Sequence, residues 1–141
     1  MYLPDINFWL AFTFDQHKHH VPARAWFDGS LAERPCYFCR LTQLGFLRLA
    51  TNPKANPLQT QTMSQSWLVY DDMLTEPRID YATEPNGLES HWRQRSQLGT
   101  YSHNVWNDAY LAAFSVAGNY ELVTFDKGFA RYPGLTHTLL S

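Results

Sequence analysis

An α/β domain with a mostly parallel central sheet and helices on both faces is the fold class this sequence predicts. Three observations carry it. Short stretches of strand formers alternate with helical periodicities from end to end. The chain has 141 residues, which fits one domain and leaves little room for a second, so residues 1–141 are expected to form a single domain. Hydrophobic residues make up 45% and aromatic residues 16%, enough for a substantial core and too many for a disordered chain.

The elements follow in order. Tyr2 and Leu3 begin a short strand that ends near Asp5. Phe8, Trp9, Ala11 and Phe12 repeat with helical spacing, and a second helix is expected over about Val21 to Leu31. Pro35 introduces CYFCRLT, rich in strand formers. Thr42 is a candidate N-cap for QLGFLRLAT, whose Gln43, Phe46, Leu47 and Ala50 share one face, apolar except for Gln43. The stretch NPKANP is a loop, after which Thr60 or Thr62 can cap a helix carrying Met63, Trp67, Tyr70 and Leu74. Pro77 ends that pattern, and RIDYAT reads as another strand. Pro85 and Gly87 precede a polar helix through Trp92, and Gly99 to His103 is loop. VWNDAYLAAFSVAG is a strong helix closed by Gly118, LVTF is a strand, and Thr136 to Leu140 is a candidate last strand.

Composition narrows function only modestly. A formal charge of −2 makes no global case for nucleic acid, although a small basic rim around an acidic site still guides a polyanion. The opening MYLPDINFWLAF lacks a basic region before it, is too short to span a bilayer, and is interrupted by Asp5, so neither signal peptide nor anchor is expected. Two cysteines cannot staple a secreted scaffold, and a cytoplasmic protein is the simplest expectation. Cys36-Tyr-Phe-Cys39 has the spacing of redox and zinc motifs, yet no other cysteine supplies a second ligand pair, and both are expected in the core. His17, His19 and His20 fall in the polar run DQHKHH and are read as a solvated loop.

The carboxylates are more informative. Asp5 follows the first strand and Asp126 follows a late one. In a parallel sheet both lie at the carboxyl edge, outside which sites of such folds gather. A crossover helix begins at that same edge, which brings Asp108, in the first turn of the Ala-rich helix, to the other two. Singly, each acid has an ordinary explanation: Asp5 as a helix cap, Asp108 at a helix N-terminus, Asp126 as a turn residue. Together, three carboxylates at one edge repel, and a divalent cation relieves that repulsion. Oxygen-only ligation favours Mg²⁺ or Mn²⁺ over zinc. Such a site suits phosphoryl chemistry.

The order strand-Asp5-Ile-Asn7, RLTQLGFLRLATNP, NDAYLAA and LVTFDKGF resembles the PIN-domain ribonucleases, and more narrowly the VapC-type toxins of bacterial toxin–antitoxin pairs. The likeness runs from residue 2 to about 135. It implies a PIN-like domain and a Mg²⁺-dependent endoribonuclease that hydrolyses RNA and is silenced by a cognate antitoxin protein. Carried over onto this chain, Asp5, Asp108 and Asp126 are the implied catalytic and metal-binding acids. Asn7 is implied as a supporting residue, Thr124 shares the strand face of Asp126, and Asn104, one helical turn before Asp108, either faces the site or caps the helix. Gln43 stands where many members carry glutamate, which puts a tightly held second metal in question. Lys127 and Arg131 flank the acidic edge as candidate contacts to RNA phosphates. Trp9 and Phe12 are candidates for a homodimer or antitoxin surface as well as for the core.

Two other readings stay open at this point. One is a PIN-like module that binds RNA or a partner without cutting, motivated by Gln43. The other is a small phosphatase on a similar sheet, motivated by the acidic edge alone.

Overall fold

Strands only three or four residues long sort their side chains by strict alternation. The computed structural model describes residues 1–29 and 34–141. In β1 (Tyr2–Pro4), Tyr2 enters the core on one side of the sheet and Leu3 the core on the other. In β4 (Glu121–Thr124), Leu122 and Val123 divide in the same way. With β2 (Cys36–Phe38), β3 (Ile79–Tyr81) and β5 (His137–Leu139) they form one five-stranded parallel sheet, ordered β3-β2-β1-β4-β5. β1, the first strand, therefore lies at the centre, paired with β2 on one side and β4 on the other.

Helices α1 (Ile6–Thr13), α2 (His20–Gly29), α3 (Arg40–Ala50) and α4 (Met63–Met73) cover one face. Their core is aromatic: Trp9 stacks on Phe38 with ring centres 4.0 Å apart, and Phe8 meets Trp26 edge-on at 5.4 Å. The other face carries α5 (Leu88–Ser96), α6 (Trp106–Gly118) and a 3-10 turn over Lys127–Arg131. Ala109, Ala112 and Ala113 are fully buried on α6, small enough to bring that helix close to the sheet. On the first face, a Cβ at Gly45 of α3 would collide with the Ile6 side chain, so glycine permits the α1–α3 approach.

Several expectations need correction. Trp9 and Phe12 are 0% and 6% exposed, so the aromatic core claims them and they offer no surface to a second chain. Thr42 is not the cap of α3. Cys39 is, while Thr42, three residues into the helix, accepts a hydrogen bond from the Cys39 N–H at 2.9 Å. Strand character in CYFCRLT accordingly ends at Phe38. On α4 the helix is rotated from the expected face: Ser66, Tyr70 and Met73 point inward, and Met63 and Trp67 are exposed. The left-handed residue that ends α6 is Asn119 (φ 57°), one position after Gly118. Leu31, the expected end of the second helix, lies outside the described residues; α2 is described over His20–Gly29.

The cysteines behave as expected. Both are free and buried, Cys36 on one face of the sheet and Cys39 on the other. Burial pushes the Cys36 thiol up to about 12 and raises that of Cys39 as well. His17 and His19 sit in the turn before α2, which His20 begins, its Nδ1 2.8 Å from the Ala11 carbonyl oxygen.

Candidate functional site

The β1–β4 register pairs Leu3 with Leu122 and Pro4 with Val123, so the next step along both strands sets Asp5 beside Thr124. Asp5 is buried at 3% exposure. Its Oδ1 accepts from the Phe8 N–H at 2.8 Å, capping α1, and its Oδ2 accepts from the Thr124 hydroxyl at 2.5 Å. Thr124 Oγ1 in turn accepts from the Asp126 N–H at 2.9 Å. That bond leaves the hydroxyl proton free to point at Asp5. A relay of two hydrogen bonds thus ties the third acid's backbone to the first acid's carboxylate.

Asp126 caps the 3-10 turn, its Oδ1 accepting from the Gly128 N–H at 2.8 Å. A Cβ at Gly128 would lie 3.1 Å from that oxygen, so glycine there allows the carboxylate to fold back over the turn. Asp108 occupies the first turn of α6 and pairs with Arg131 Nη2 at 3.5 Å. All three acids line one cavity of about 200 Å³, together with Asn7, Asn104 and Asn107. Ile6, Leu49, Leu111 and Phe129 form its apolar floor and walls.

The electrostatics follow from that convergence. Burial pushes the Asp5 carboxyl up to about 6; the charges of Asp108 and Asp126 add to the shift, while the bonds from Thr124 and Phe8 oppose it. Asp108 is also raised, first by burial and then by the charge of Asp126, with Arg131 pulling the other way. The donors are carboxylates and amides only, a hard oxygen set that suits Mg²⁺ or Mn²⁺. Among the described residues no group of three His, Cys, Asp or Glu side chains is placed to hold a metal ion as it stands. Each acid has partners of its own: Phe8 and Thr124 hold Asp5, Gly128 holds Asp126 and Arg131 holds Asp108. A cation entering the cavity competes with these partners for carboxylate oxygens.

Not every candidate reaches the cavity. Gln43 is buried but does not line it, and its Oε1 accepts from Arg40 Nη1 at 2.5 Å. The expected supporting place at the acids is therefore not where Gln43 sits. Asn104 faces the cavity and does not cap α6, whose first-turn cap position is Val105. Lys127 is exposed beside Asp126. Arg131 already meets Asp108, a pairing that sequence reading missed. Asn107 was missed too, although its place next to Asp108 at the start of α6 was an available signal.

Residues 2–135 match the model of the PIN domain, and the chain belongs to that family. Among curated relatives it is 41% identical to Ribonuclease VapC41 of Mycobacterium tuberculosis, over 100% of this chain and 99% of that protein. It is 33% identical to Ribonuclease VapC44 of the same organism, over 95% of this chain and 93% of the relative. Solved structures share the fold. VapBC2 from Rickettsia felis, crystallised with a DNA fragment from its promoter, superposes with a TM-score of 0.71 at 16% identity, covering 99% of this chain and 98% of that one. VapBC-1 from nontypeable Haemophilus influenzae gives 0.66 at 18% identity, covering 98% and 96%. Among the described residues no helix is long and apolar enough to cross a membrane.

Proposed function

We propose that this chain is an endoribonuclease of the VapC type, the toxin of a toxin–antitoxin pair, acting in the cytoplasm as a single PIN domain. Asp5, Asp108 and Asp126 hold the Mg²⁺ or Mn²⁺ it requires. The observation that carries the reading is the meeting of these three carboxylates in one polar cavity at the sheet's carboxyl edge. The full-length likeness to named ribonucleases supports it, and the VapBC complexes among the structural neighbours support a cognate antitoxin as partner.

A divalent cation bound there supplies polarisation of a phosphate oxygen and a lowered pKa for water. The chain's own groups do the rest. Thr124 fixes the Asp5 carboxylate by its hydroxyl, and the Asp126 N–H fixes the hydroxyl. Asn7, Asn104 and Asn107 orient water or phosphate without adding charge to an already acidic cavity. Arg131, half-exposed beside Asp108, and Lys127 meet the RNA phosphates flanking the cut.

The test is cleavage of a structured RNA by the purified chain. Cleavage requires Mg²⁺ or Mn²⁺, stops in EDTA, and is lost in Asp5→Asn and in Asp108→Asn. Metal-dependent cleavage retained by both variants would exclude the assignment. The second reading, a PIN-like module that binds RNA or a partner without cutting, is favoured by the acids' present placement, in which no three of the described His, Cys, Asp or Glu side chains are set to hold a metal ion. Cutting by the wild type that disappears in Asp126→Asn eliminates it.

A further inference from the structure

Next to the acid cavity lies a larger cleft whose walls are aromatic. It has a volume of about 460 Å³ and is lined by Ser96, Tyr101, Ser102, His103 and Trp106, among others. Trp106 opens α6 two residues before Asp108 and is 53% exposed; Tyr101 is fully exposed and Leu98 54% exposed. Single exposed apolar residues need no explanation, but several gathered in one cleft do. The backbone at Trp106 is also tied down, and its ring has an aromatic neighbour. Trp92 Nε1 donates to the Trp106 carbonyl oxygen at 3.2 Å, and the Trp92 ring meets the Trp106 ring edge-on at 6.2 Å. A half-exposed indole on an anchored backbone is a stacking surface.

One stretch of chain, residues 103–108, contributes side chains to both the cleft and the acid cavity. Along the loop into α6, His103 and Val105 face the cleft while Asn104 between them faces the acids. On its far side Trp106 also lines a second hollow with Trp92 and Arg93. The Arg93–Glu89 pair there is 68% and 72% exposed at its side chains, weak enough to be exchanged for a phosphate.

We infer that this cleft takes one unstacked nucleobase of single-stranded RNA, adjacent to the phosphate to be cut, with Trp106 as its stacking platform. The inference rests on the ribonuclease reading and adds to it a base-binding subsite beside the acids. Tyr101 closes the other side of the base, and the hydroxyl of Ser102 and the imidazole of His103 offer hydrogen bonds to its edge. Hydroxyls and imidazole beside the two aromatic rings, and the acids a few residues on along α6, favour a base over an apolar protein segment.

The experiment uses a single-stranded RNA that the wild type cleaves, with abasic residues introduced one position at a time. KM and kcat are measured for the wild type, Trp106→Ala, Trp106→Phe and Tyr101→Ala. Trp106→Ala raises KM about tenfold with little change in kcat, the size of one lost base stack, and Trp106→Phe restores most of it. Tyr101, being fully exposed, can be changed without risk to the fold, and Tyr101→Ala raises KM in the same direction. One abasic position beside the scissile phosphate raises the wild-type KM by a similar factor and adds nothing in Trp106→Ala. A Trp106→Ala KM equal to wild type, with cleavage intact, overturns the inference and leaves the ribonuclease reading standing. So does a Trp106→Ala chain that changes oligomeric state or loses antitoxin while keeping its KM, because the cleft is then a protein interface. A wild type that cleaves no RNA overturns the ribonuclease reading itself, and this inference with it.

Discussion

Two strand-to-helix junctions lie side by side on the carboxyl edge of the sheet. At β1–α1 the cap is Asp5, a carboxylate; at β2–α3 the cap is Cys39, a neutral thiol supported by Thr42. Both caps are buried, and both helices start normally. The neutral junction demonstrates that this edge can begin a helix without a charge. Asp5 therefore exceeds what capping requires, and its carboxyl is pushed up to about 6 by the burial that the position imposes. A charge kept where it is costly, facing two more carboxylates, is what the proposed cation site would use.

The comparison breaks most visibly in activity. Asp108→Asn, at the half-exposed start of α6, lowers RNA cleavage by about 10²–10⁴ while circular dichroism and thermal midpoint stay near wild type, because it removes transition-state charge and no core contact. Unfolding by urea, in EDTA, then separates the two junctions. Because the folded state raises the Asp5 pKa from 3.8 to about 6, its contribution to stability is fully present below pH 4 and is lost as pH rises through 6. Asp5→Asn at pH 7 consequently stabilises the chain by roughly 1–3 kcal/mol, an effect that vanishes near pH 4. No gain at pH 7 would mean that Asp5 bears no such cost.

Thr42→Val at the neutral junction should do the reverse. Removing the acceptor of the Cys39 N–H costs about 1–2 kcal/mol. The loss is the same at pH 5 and pH 8, and cleavage per folded molecule is unchanged. Smallest of all is Gln43→Glu, at a side chain that does not line the cavity and accepts from Arg40. Its Mn²⁺ affinity stays within about twofold of wild type by calorimetry. A large gain would place this position at the acids after all.

Much of this arrangement was legible in the sequence because a parallel α/β topology links strand ends to helix starts. Asp5, Asp126 and Asp108 follow or begin such elements, so their meeting in one cavity needed only the alternation of elements. Thr124 was legible from the two-residue period of its strand, which sets it on the face of Asp126. What escaped depends on helix rotation and on side chains meeting across the fold. Nothing local to α4 says that Ser66 and Met73 turn inward while Met63 and Trp67 turn out. The partner of Asp108 is Arg131, from a different element, and Gln43 is set by Arg40, whose own position depends on α3 beginning at Cys39.

The central claim is that Asp5, Asp108 and Asp126 act together on one divalent cation site, and Mn²⁺ titration by calorimetry addresses it most directly. The account predicts saturable binding at pH 7 that weakens as pH falls through 6, where Asp5 takes up a proton. It also predicts that Asp108→Asn and Asp126→Asn each weaken binding by at least about tenfold, the loss of one charged ligand. Binding that is indifferent to both substitutions and to pH would contradict it.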